Sequence, residues 1–327
     1  MKTLVCCILK MENHYLDEWI SHYRDLGVDK IVIYDNNDID GPYAEDITAL
    51  NEVIKGVNDN VIDIYKIPGE DCAQLKYYNQ CYNSYKEYDW LLFVDIDEFL
   101  TIDERYNTIK DFLSSKRFNE FDMIHLNWKV FDDNDQLYVV NDNYSLKERF
   151  TRPASESVKS KGIDREVKSI VRGGIPGLKF VKNPHTMESD SREIRCCDAL
   201  GRYTSNKLQK SSFVVHQEAW INHYICKTVE EYCKIKLIRL GGHTSHKRNQ
   251  RYTFTFFFTY NKRTPEKVEA FKKFFYRNNS HRLVKVSTSS IPKTEMRKNS
   301  NVKRIKILNP VPKNGIVKNS RKTVNYI

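Results

Sequence analysis

The sequence has no apolar run long enough to cross a bilayer. Its longest apolar stretches, residues 4–9 and 254–258, fall far short of the roughly 18 residues that a transmembrane helix needs. The first nine residues have the apolar character of a signal peptide, but Lys10 and Glu12 follow at once and no small-residue cleavage site is present. We therefore interpret residues 3–9 as a first β-strand and expect a cytoplasmic protein.

The sequence also lacks the common motifs that bind zinc through cysteine or phosphate through glycine. Its eight cysteines include no Cys-x-x-Cys spacing, which argues against a zinc ribbon or a thioredoxin-type redox site. Most of them stand beside apolar residues, where a reduced cysteine behaves as a small core residue, as expected in a reducing compartment. Neither Gly-x-Gly-x-x-Gly nor Gly-x-x-x-x-Gly-Lys-Ser/Thr occurs, so Rossmann and P-loop phosphate sites are not supported.

Negative charge is scarce in the last quarter of the chain. Residues 246–327 hold 21 Lys and Arg against three acidic residues, a net charge of +18, whereas residues 1–245 carry −8. A basic extension of this kind suits nucleic-acid binding, but the acidic body would repel phosphates and no recognition motif is present. We predict one domain at residues 1–245, a helical basic appendage at 246–286 and a basic tail with little fixed structure at 287–327.

The basic region carries the pattern of an amphipathic helix at residues 264–276, with Phe271, Phe274 and Phe275 on its apolar side. A basic amphipathic helix beside a polybasic extension is typical of attachment to an anionic membrane surface. On this interpretation the protein lies peripherally on the inner face of the cytoplasmic membrane. The alternative is that residues 250–280 pack on the preceding domain, which is what helical amphipathicity most often means.

The first part of the chain alternates between predicted strands and predicted helices. The strands are predicted at residues 3–9, 30–34, 61–67 and 90–94, and the helices at 13–26, 44–55 and 74–88. Such alternation is typical of an α/β fold in which helices flank a mostly parallel central sheet. Later in the chain, apolar residues at helical spacing predict a long helix over residues 221–240, ended by Gly241-Gly242.

Two carboxylates follow the most apolar of these strands. The run at residues 90–94 is typical of a buried strand, and Asp95-Ile96-Asp97 comes directly after it. Side chains two residues apart in an extended segment point the same way, so Asp95 and Asp97 can converge while Ile96 turns into the core. Hard oxygen donors at the carboxyl end of a strand suit Mg²⁺ or Mn²⁺. The alternative is a solvated acidic turn.

A second polar cluster, Asp35-Asn36-Asn37, follows the predicted strand at residues 30–34. The carboxyl ends of parallel strands meet at one edge of a sheet, so this cluster should lie near the first one. Turn chemistry alone also explains its composition, because Asn and Asp favour tight turns. Its placement, however, favours a binding role for Asp35 and Asn37.

Several short motifs follow one another in a fixed order over residues 3–243. They are Ile8-Leu9-Lys10-Met11-Glu12-Asn13, Asp17-Glu18-Trp19-Ile20, Gly27-Val28-Asp29, Ile33-Tyr34-Asp35-Asn36, Gln74, Asn79, Phe93-Val94-Asp95-Ile96-Asp97-Glu98-Phe99, Trp128, Phe131, Lys168-Ser169-Ile170-Val171-Arg172, His185, Asn222-His223-Tyr224, Lys227, Glu231 and Lys236. As an ordered set they resemble the glycosyltransferase family 92 domain and its bacterial relatives in the family-2-like group. The resemblance stops near residue 245, before the basic region.

The resemblance implies a GT-A fold and the transfer of a sugar, with inversion, from a nucleotide diphosphate donor that is usually UDP-linked. Asp95 and Asp97 match the family motif that holds Mn²⁺ and the donor diphosphate, and Asp35 matches the position that contacts uracil or ribose. Galactose as the sugar, and a glycan or lipid-linked glycan as the acceptor, as in lipopolysaccharide or capsule synthesis, are implied in the same way. In a departure from the pattern, Thr228 stands where serine is expected and residues 76–78 are bulkier than usual.

The candidate site residues combine the strand-end clusters with the motifs of the resemblance. The donor-binding candidates are Lys10, Asp35, Asn37, Gln74, Asn79, Asp95 and Lys227. The metal-ligand candidates are Asp95 and Asp97, with His185 as the third ligand and His223 as its alternative, since imidazole is a common ligand of the softer divalent ions. Replacing Asp97 is then expected to abolish transfer and to leave the fold intact.

An inverting transfer also needs one general base, which removes the proton of the acceptor hydroxyl. Glu98, Asp132 and Glu188 are candidates, beside Glu156 and Asp164, and the sequence does not choose among them. Two other classes of protein stay open at this point: a nucleic-acid-binding protein that uses the basic tail, and another metal-dependent nucleotide enzyme such as a nucleotidyltransferase.

Overall fold

The computed structural model describes residues 1–41, 44–139, 145–158, 162–205, 210–211, 213–239 and 253–278, and the predicted tail at 287–327 lies outside them. Its strands are β1 (Thr3–Leu9), β2 (Lys30–Asp35), β3 (Ile62–Lys66), β4 (Trp90–Phe93), β5 (Glu98–Ile102), β6 (Met123–Val130), β7 (Val167–Arg172), β8 (Leu178–Phe180), β9 (Met187–Ser189), β10 (Cys196–Asp198), β11 (Tyr203–Thr204) and β12 (Ala219–His223). Its helices are α1 (Leu16–Asp25), α2 (Asn51–Asn58), α3 (Ala73–Ser84), α4 (Ile109–Leu113), α5 (Leu146–Arg149), α6 (Ala154–Val158), α7 (Val229–Glu231), α8 (Phe254–Tyr260) and α9 (Pro265–Asn278). A short π-helix, Tyr232–Lys236, continues directly from α7.

Within these residues, ten strands form one sheet in the order β11-β10-β6-β7-β4-β1-β2-β3, to which β12 and β5 are joined through β6. β1 pairs in parallel with β2 and β4, and β2 pairs in parallel with β3. β7 runs antiparallel between β4 and β6. The predicted α/β class, with helices around a mostly parallel central sheet, is therefore confirmed.

β1 lies inside the sheet because it is apolar on both faces. Val5, Cys7 and Leu9 belong to one core, whereas Leu4 and Cys6 belong to the other. Successive side chains of a strand point to opposite faces, so a strand that is apolar at every position is buried on both sides. Helix α1 packs in the first core and helix α3 in the second.

The prediction of one helix over residues 221–240 is wrong in its first part. The chain forms β12 there, which pairs antiparallel with β5 and parallel with β6. Alternate residues of β12 are fully buried, and a period of two marks a strand rather than a helix. His223 therefore ends a strand, and the helix begins only at Val229. The predicted helix end at Gly241-Gly242 lies outside the described residues.

Helices α8 and α9, from the predicted basic appendage, pack into the first core. Phe257, Phe271 and Phe274 are buried there, and the ring centroid of Phe271 lies 5.8 Å from that of Tyr232. Phe271 and Phe274 are thus not available for insertion into a membrane, and Phe275 lies outside the described side chains. No helix in the described part of the chain is long and apolar enough to span a bilayer.

Lys267 fastens α9 to the loop that follows β6. Its ammonium lies 2.8 Å from Asp133 Oδ1 and 2.8 Å from Asp135 Oδ1, and the residue is 1% exposed. Arg152 joins the same loop through Asp132 Oδ2 at 2.7 Å and Asp135 Oδ2 at 2.8 Å. A basic residue of the appendage is therefore a buried counter-ion and not part of a solvated cationic face.

We predict that Lys267→Met lowers the free energy of unfolding by about 3 kcal/mol, because the buried Asp133 loses its nearest cation and keeps only Arg152 Nη2, at 4.0 Å. Lys272 stands on the exposed side of the same helix, and Lys272→Met should change this free energy by less than about 0.5 kcal/mol. Urea denaturation followed by circular dichroism compares the two variants. Equal stabilities would contradict the docking of α9 described above.

Candidate active site

The carboxyl ends of β1, β2 and β4 meet at one edge of the sheet. The register pairs Leu9 of β1 with Asp35 of β2, and Cys6 of β1 with Phe93 of β4. Asp35 and the two aspartates that follow β4 therefore open at the same edge, where open α/β sheets bind their ligands. The two polar clusters found in the sequence are brought to one place.

Asp97 lies at the centre of this edge and is 1% exposed. Its Oδ2 accepts hydrogen bonds from Lys236 Nζ at 2.6 Å and from Lys227 Nζ at 3.2 Å. Its Oδ1 has no hydrogen-bond partner among the described residues and lies 3.5 Å from His223 Nε2. Burial alone would raise the pKa of Asp97, but the charges of Lys227 and Lys236 hold it well below its usual value. Asp97 is thus a buried, ionised carboxylate whose Oδ1 faces His223 and accepts no hydrogen bond within the described part of the chain.

Asp95 is more accessible, with a side chain that is 32% exposed. Its Oδ1 accepts from Gln74 Nε2 at 2.7 Å and its Oδ2 from Lys168 Nζ at 3.2 Å. Lys168 comes from β7, is fully buried and also lies 3.0 Å from Glu98 Oε2. Although burial alone would lower the pKa of Lys168, the carboxylates of Asp95 and Glu98 raise it. The sequence analysis assigned no role to Lys168. The residue appeared there only as part of one of the ordered motifs.

Glu98 fixes the turn that carries both aspartates. Its Oε2 accepts from the main-chain N–H of Asp95 at 2.9 Å, and its Oε1 lies 3.8 Å from His223 Nδ1. β12 pairs with β5 so that His223 stands opposite Glu98, which places the imidazole between Glu98 and Asp97. Burial raises the pKa of Glu98 to about 8.

Trp128 separates the two candidate histidines. Its ring centroid lies 4.3 Å from that of His223 and 5.5 Å from that of His185, with both rings edge-on. His185 Nδ1 lies 2.8 Å from the carbonyl oxygen of Val167, whereas His223 Nε2 faces Asp97. His223, the alternative ligand of the sequence analysis, thus stands beside Asp97, and the choice between the two histidines stays a prediction.

Lys227 and Lys236 reach Asp97 from the segment that follows β12. Lys227 precedes α7, and Lys236 is the last residue of the π-helix. Thr228 caps α7, since its Oγ1 accepts from the main-chain N–H of Glu231 at 3.1 Å. The hydroxyl that the expected serine would supply is thus retained. No role was predicted for Lys236.

Glu12 supplies a further carboxylate to this cluster. Its Oε1 lies 3.7 Å from Lys227 Nζ and 3.9 Å from Lys236 Nζ, and its Oε2 pairs with Arg239. The aspartate pair and its surroundings then hold four carboxylates and four cations, which balance formally. They are Glu12, Asp95, Asp97 and Glu98 with Lys168, Lys227, Lys236 and Arg239.

Two of the donor-binding candidates hold the main chain instead. Asn37 Oδ1 accepts from the N–H of Met11 at 2.7 Å, and Asn37 Nδ2 donates to Asn13 Oδ1 at 3.0 Å. Asn79 donates to the carbonyl of Phe180 at 2.9 Å and accepts from its N–H at 2.7 Å. Each amide bonds through its oxygen and through its nitrogen, which gives both asparagines a structural role, and their contact with a donor stays a prediction.

The other two candidates from the first strands stay at the edge of the sheet. Lys10 Nζ lies 2.9 Å from Asp38 Oδ1. Asp35 Oδ1 accepts from the main-chain N–H of Asn37 at 3.1 Å, and burial raises the pKa of Asp35. Their contact with a nucleotide stays a prediction.

The three principal base candidates have different surroundings. Glu98 contacts the aspartate pair but is fully buried. Asp132 is also buried, with Oδ2 2.7 Å from Arg152 Nε. Glu188 forms a partly exposed ion pair with Lys182 on the β8–β9 hairpin, at 2.7 Å. A general base must reach the acceptor proton, and a carboxylate held by an arginine in the interior, such as Asp132, is poorly placed for that.

The sequence of this chain matches the model of glycosyltransferase family 92 over residues 69–301. A glycosyltransferase family 92 protein of Oryza sativa subsp. japonica is 29% identical over 98 residues, which cover 29% of this chain and 15% of the rice protein. The chain therefore corresponds to a small part of the length of this relative.

Solved structures with a partial likeness include HddC from Yersinia pseudotuberculosis, at 14% identity, 54% of this chain, 71% of that chain and a TM-score of 0.28. The bifunctional glycosyltransferase WbbM is another, at 10% identity, 53% of this chain, 31% of that chain and a TM-score of 0.27. TM-scores this low show neither a shared fold nor a shared activity.

The family match covers well over half of the chain. It includes Asp95, Asp97 and the segment that supplies Lys227 and Lys236. It also extends beyond residue 245, where the resemblance was expected to stop, and takes in α8 and α9. The α/β sheet agrees with the fold that the family implies. The chain belongs to glycosyltransferase family 92.

Proposed function

We propose that this glycosyltransferase moves a hexose, with inversion, from a UDP-linked donor to a hydroxyl of a glycan or lipid-linked glycan, with Mn²⁺ or Mg²⁺ as cofactor. Galactose is the sugar that the family resemblance implies. One observation carries the proposal: the buried Asp97 keeps one carboxylate oxygen without a hydrogen bond, and that oxygen faces His223 Nε2 at 3.5 Å.

The residues at this edge fit a divalent ion that shares its ligands with a substrate. The described part of the chain holds no group of three His, Cys, Asp or Glu side chains that would form a complete ion site. Mg²⁺ is commonly bound through one or two carboxylates together with substrate phosphates, and not by an all-protein cage. Asp97, with His223 and Asp95 beside it, supplies such a partial set. When bound, the ion would stabilise the negative charge of the leaving diphosphate as a Lewis acid.

The chain's own side chains have separate tasks in this proposal. Gln74 and Lys168 orient the Asp95 carboxylate through one oxygen each. Glu98 holds the turn between the aspartates, so we assign it a positioning role and not proton transfer. Lys227 brings a buried positive charge to the place where the diphosphate develops negative charge, and such a charge is strong where water is excluded.

The charge balance of the site predicts that ion and donor bind together. The cations of the site already match or outnumber its carboxylates, because the pKa of Glu98 is raised to about 8, so a divalent ion alone would leave an excess positive charge in a buried site. The negative charges of a bound diphosphate offset this excess. We therefore predict that Mn²⁺ tightens UDP binding by about tenfold or more, which corresponds to about 1.4 kcal/mol or more.

Isothermal titration of the protein with UDP, with Mn²⁺ and with a chelator, measures this effect. GDP and CDP are the controls for the base. UDP binding that is the same with the chelator would contradict the role of the ion, and a preference for GDP or CDP would contradict the proposed donor.

The buried ion pairs of Asp97 predict a cost in stability when Asp97 is replaced. Asp97→Asn removes the shared carboxylate of Lys227 and Lys236, both buried, and should lower the free energy of unfolding by about 3–5 kcal/mol. Asp95→Asn is the matched variant: because Lys168 keeps Glu98 as a partner, its cost should be no more than about 1 kcal/mol. Urea denaturation of both variants tests this. An Asp97→Asn protein as stable as Asp95→Asn would show that the lysines do not depend on Asp97.

A further inference from the structure

Two lysine ammonium groups share one carboxylate oxygen at the centre of the site. Lys236 Nζ and Lys227 Nζ lie 2.6 Å and 3.2 Å from Asp97 Oδ2. Both groups also face Glu12 Oε1, at 3.9 Å and 3.7 Å. Both lysines are buried, at 4% and 3% exposure. Like charges this close repel each other, and more strongly in the interior than in water, so packing alone does not account for the arrangement.

The backbone that carries each lysine is unusual as well. Lys227 has a φ of +61°, in the left-handed region that a residue with a Cβ rarely adopts. Lys236 ends a π-helix, a rare element that is found as a short insertion and often at functional sites. Strained conformations of this kind persist where the surrounding structure enforces them, and they cluster at ligand sites. Two such conformations bring both ammonium groups to the same oxygen.

We propose that Lys236, together with Lys227, holds Asp97 as its counter-ion while the donor is absent and passes to the donor's diphosphate when Asp97 takes up the divalent ion. The proposal rests on the function proposed above and adds Lys236 as a diphosphate-binding residue. It makes Asp97 a carboxylate that exchanges its partners and not a preformed ion site.

The exchange conserves charge. A carboxylate that binds a divalent ion is less able to neutralise two ammonium groups, which then need another anion. A diphosphate is such an anion, and lysine follows it easily because its ammonium group stands on a flexible four-carbon stem. In the resting site the same ammonium groups oppose the ion, since both compete for Asp97.

This competition gives a signature that a structural lysine would not give. Lys236→Gln keeps a hydrogen-bond donor for Asp97 but removes the charge. It should therefore strengthen the binding of the ion alone and weaken the binding of a diphosphate. A lysine that merely supports the fold would change both affinities in the same direction, or neither.

The experiment uses the full chain and two probes that do not depend on the nucleobase or the sugar. Binding of Mn²⁺ alone is followed by the paramagnetic resonance signal of the free ion, and binding of inorganic pyrophosphate at saturating Mn²⁺ by calorimetry. For Lys236→Gln we expect Mn²⁺ affinity to rise about tenfold and pyrophosphate affinity to fall about tenfold, each about 1.4 kcal/mol. Lys236→Arg, which keeps the charge, should retain the affinity of the unchanged protein for both probes.

Lys267→Gln is the matched control, because Lys267 is equally buried but pairs with Asp133 and Asp135. Because loss of Lys267 is expected to cost stability, this variant is first shown to keep a cooperative thermal transition, and it should then leave both affinities unchanged; the exposed Lys272→Gln replaces it if the transition is lost. If Lys236→Gln shows no cooperative thermal transition, Lys227→Gln takes its place. The Mn²⁺ affinity is again expected to rise and the pyrophosphate affinity to fall.

Three results would overturn the exchange: both affinities falling together in Lys236→Gln, neither changing, or the same pattern in Lys267→Gln. If Lys236→Gln raises the Mn²⁺ affinity and lowers the pyrophosphate affinity, but the unchanged protein does not bind UDP, the exchange is supported and the proposed nucleotide is contradicted. An unchanged protein that binds neither Mn²⁺ nor pyrophosphate would contradict both proposals.

Discussion

The charge of the buried Asp97 carboxylate must be compensated, and the rest of the site is arranged around that need. An unpaired ion in the interior costs several kcal/mol, so its partners have to be buried beside it. Lys227 and Lys236 arrive from the segment after β12, His223 from β12 itself, and Glu12 from the loop after β1. Two parts of the chain that are far from Asp97 in sequence, Glu12 and residues 223–236, therefore meet around one carboxylate.

The C-terminal helices belong to the same arrangement. The π-helix that ends at Lys236 begins at Tyr232, whose ring lies 5.1 Å from that of Phe257 in α8 and 5.8 Å from that of Phe271 in α9. The hydroxyl of Tyr232 also donates to the carbonyl of Thr253, at 2.8 Å. The two helices thus pack behind the element that presents Lys236. The amphipathic pattern of α9 is the same for a core-facing helix as for a membrane-facing one, which is why the sequence left both interpretations open.

The sequence was informative where a feature is local. An apolar run that ends in Asp95 and Asp97 is enough to predict a buried strand with carboxylates at its end. Both features depend only on residues that are neighbours in the sequence. It was uninformative where partners are far apart. His223 meets Glu98 through strand pairing across more than a hundred residues, and β12 is so short that the apolar residues after it gave a helical pattern. The donor and acceptor groups of Asn79 looked available for a ligand, but the main chain of β8 uses them.

The central claim is that the unpartnered oxygen of Asp97 is a site for a divalent ion shared with the donor. Crystals grown with Mn²⁺ and UDP, with diffraction measured at a wavelength where manganese scatters anomalously, locate the ion directly. The account predicts one strong anomalous peak within bonding distance of Asp97 Oδ1, next to His223 and the UDP phosphates, with Lys236 moved towards the diphosphate. An anomalous peak beside His185 and remote from Asp97 would contradict the account. Bound UDP phosphates without an anomalous peak, and with Lys236 still paired to Asp97, would contradict it as well.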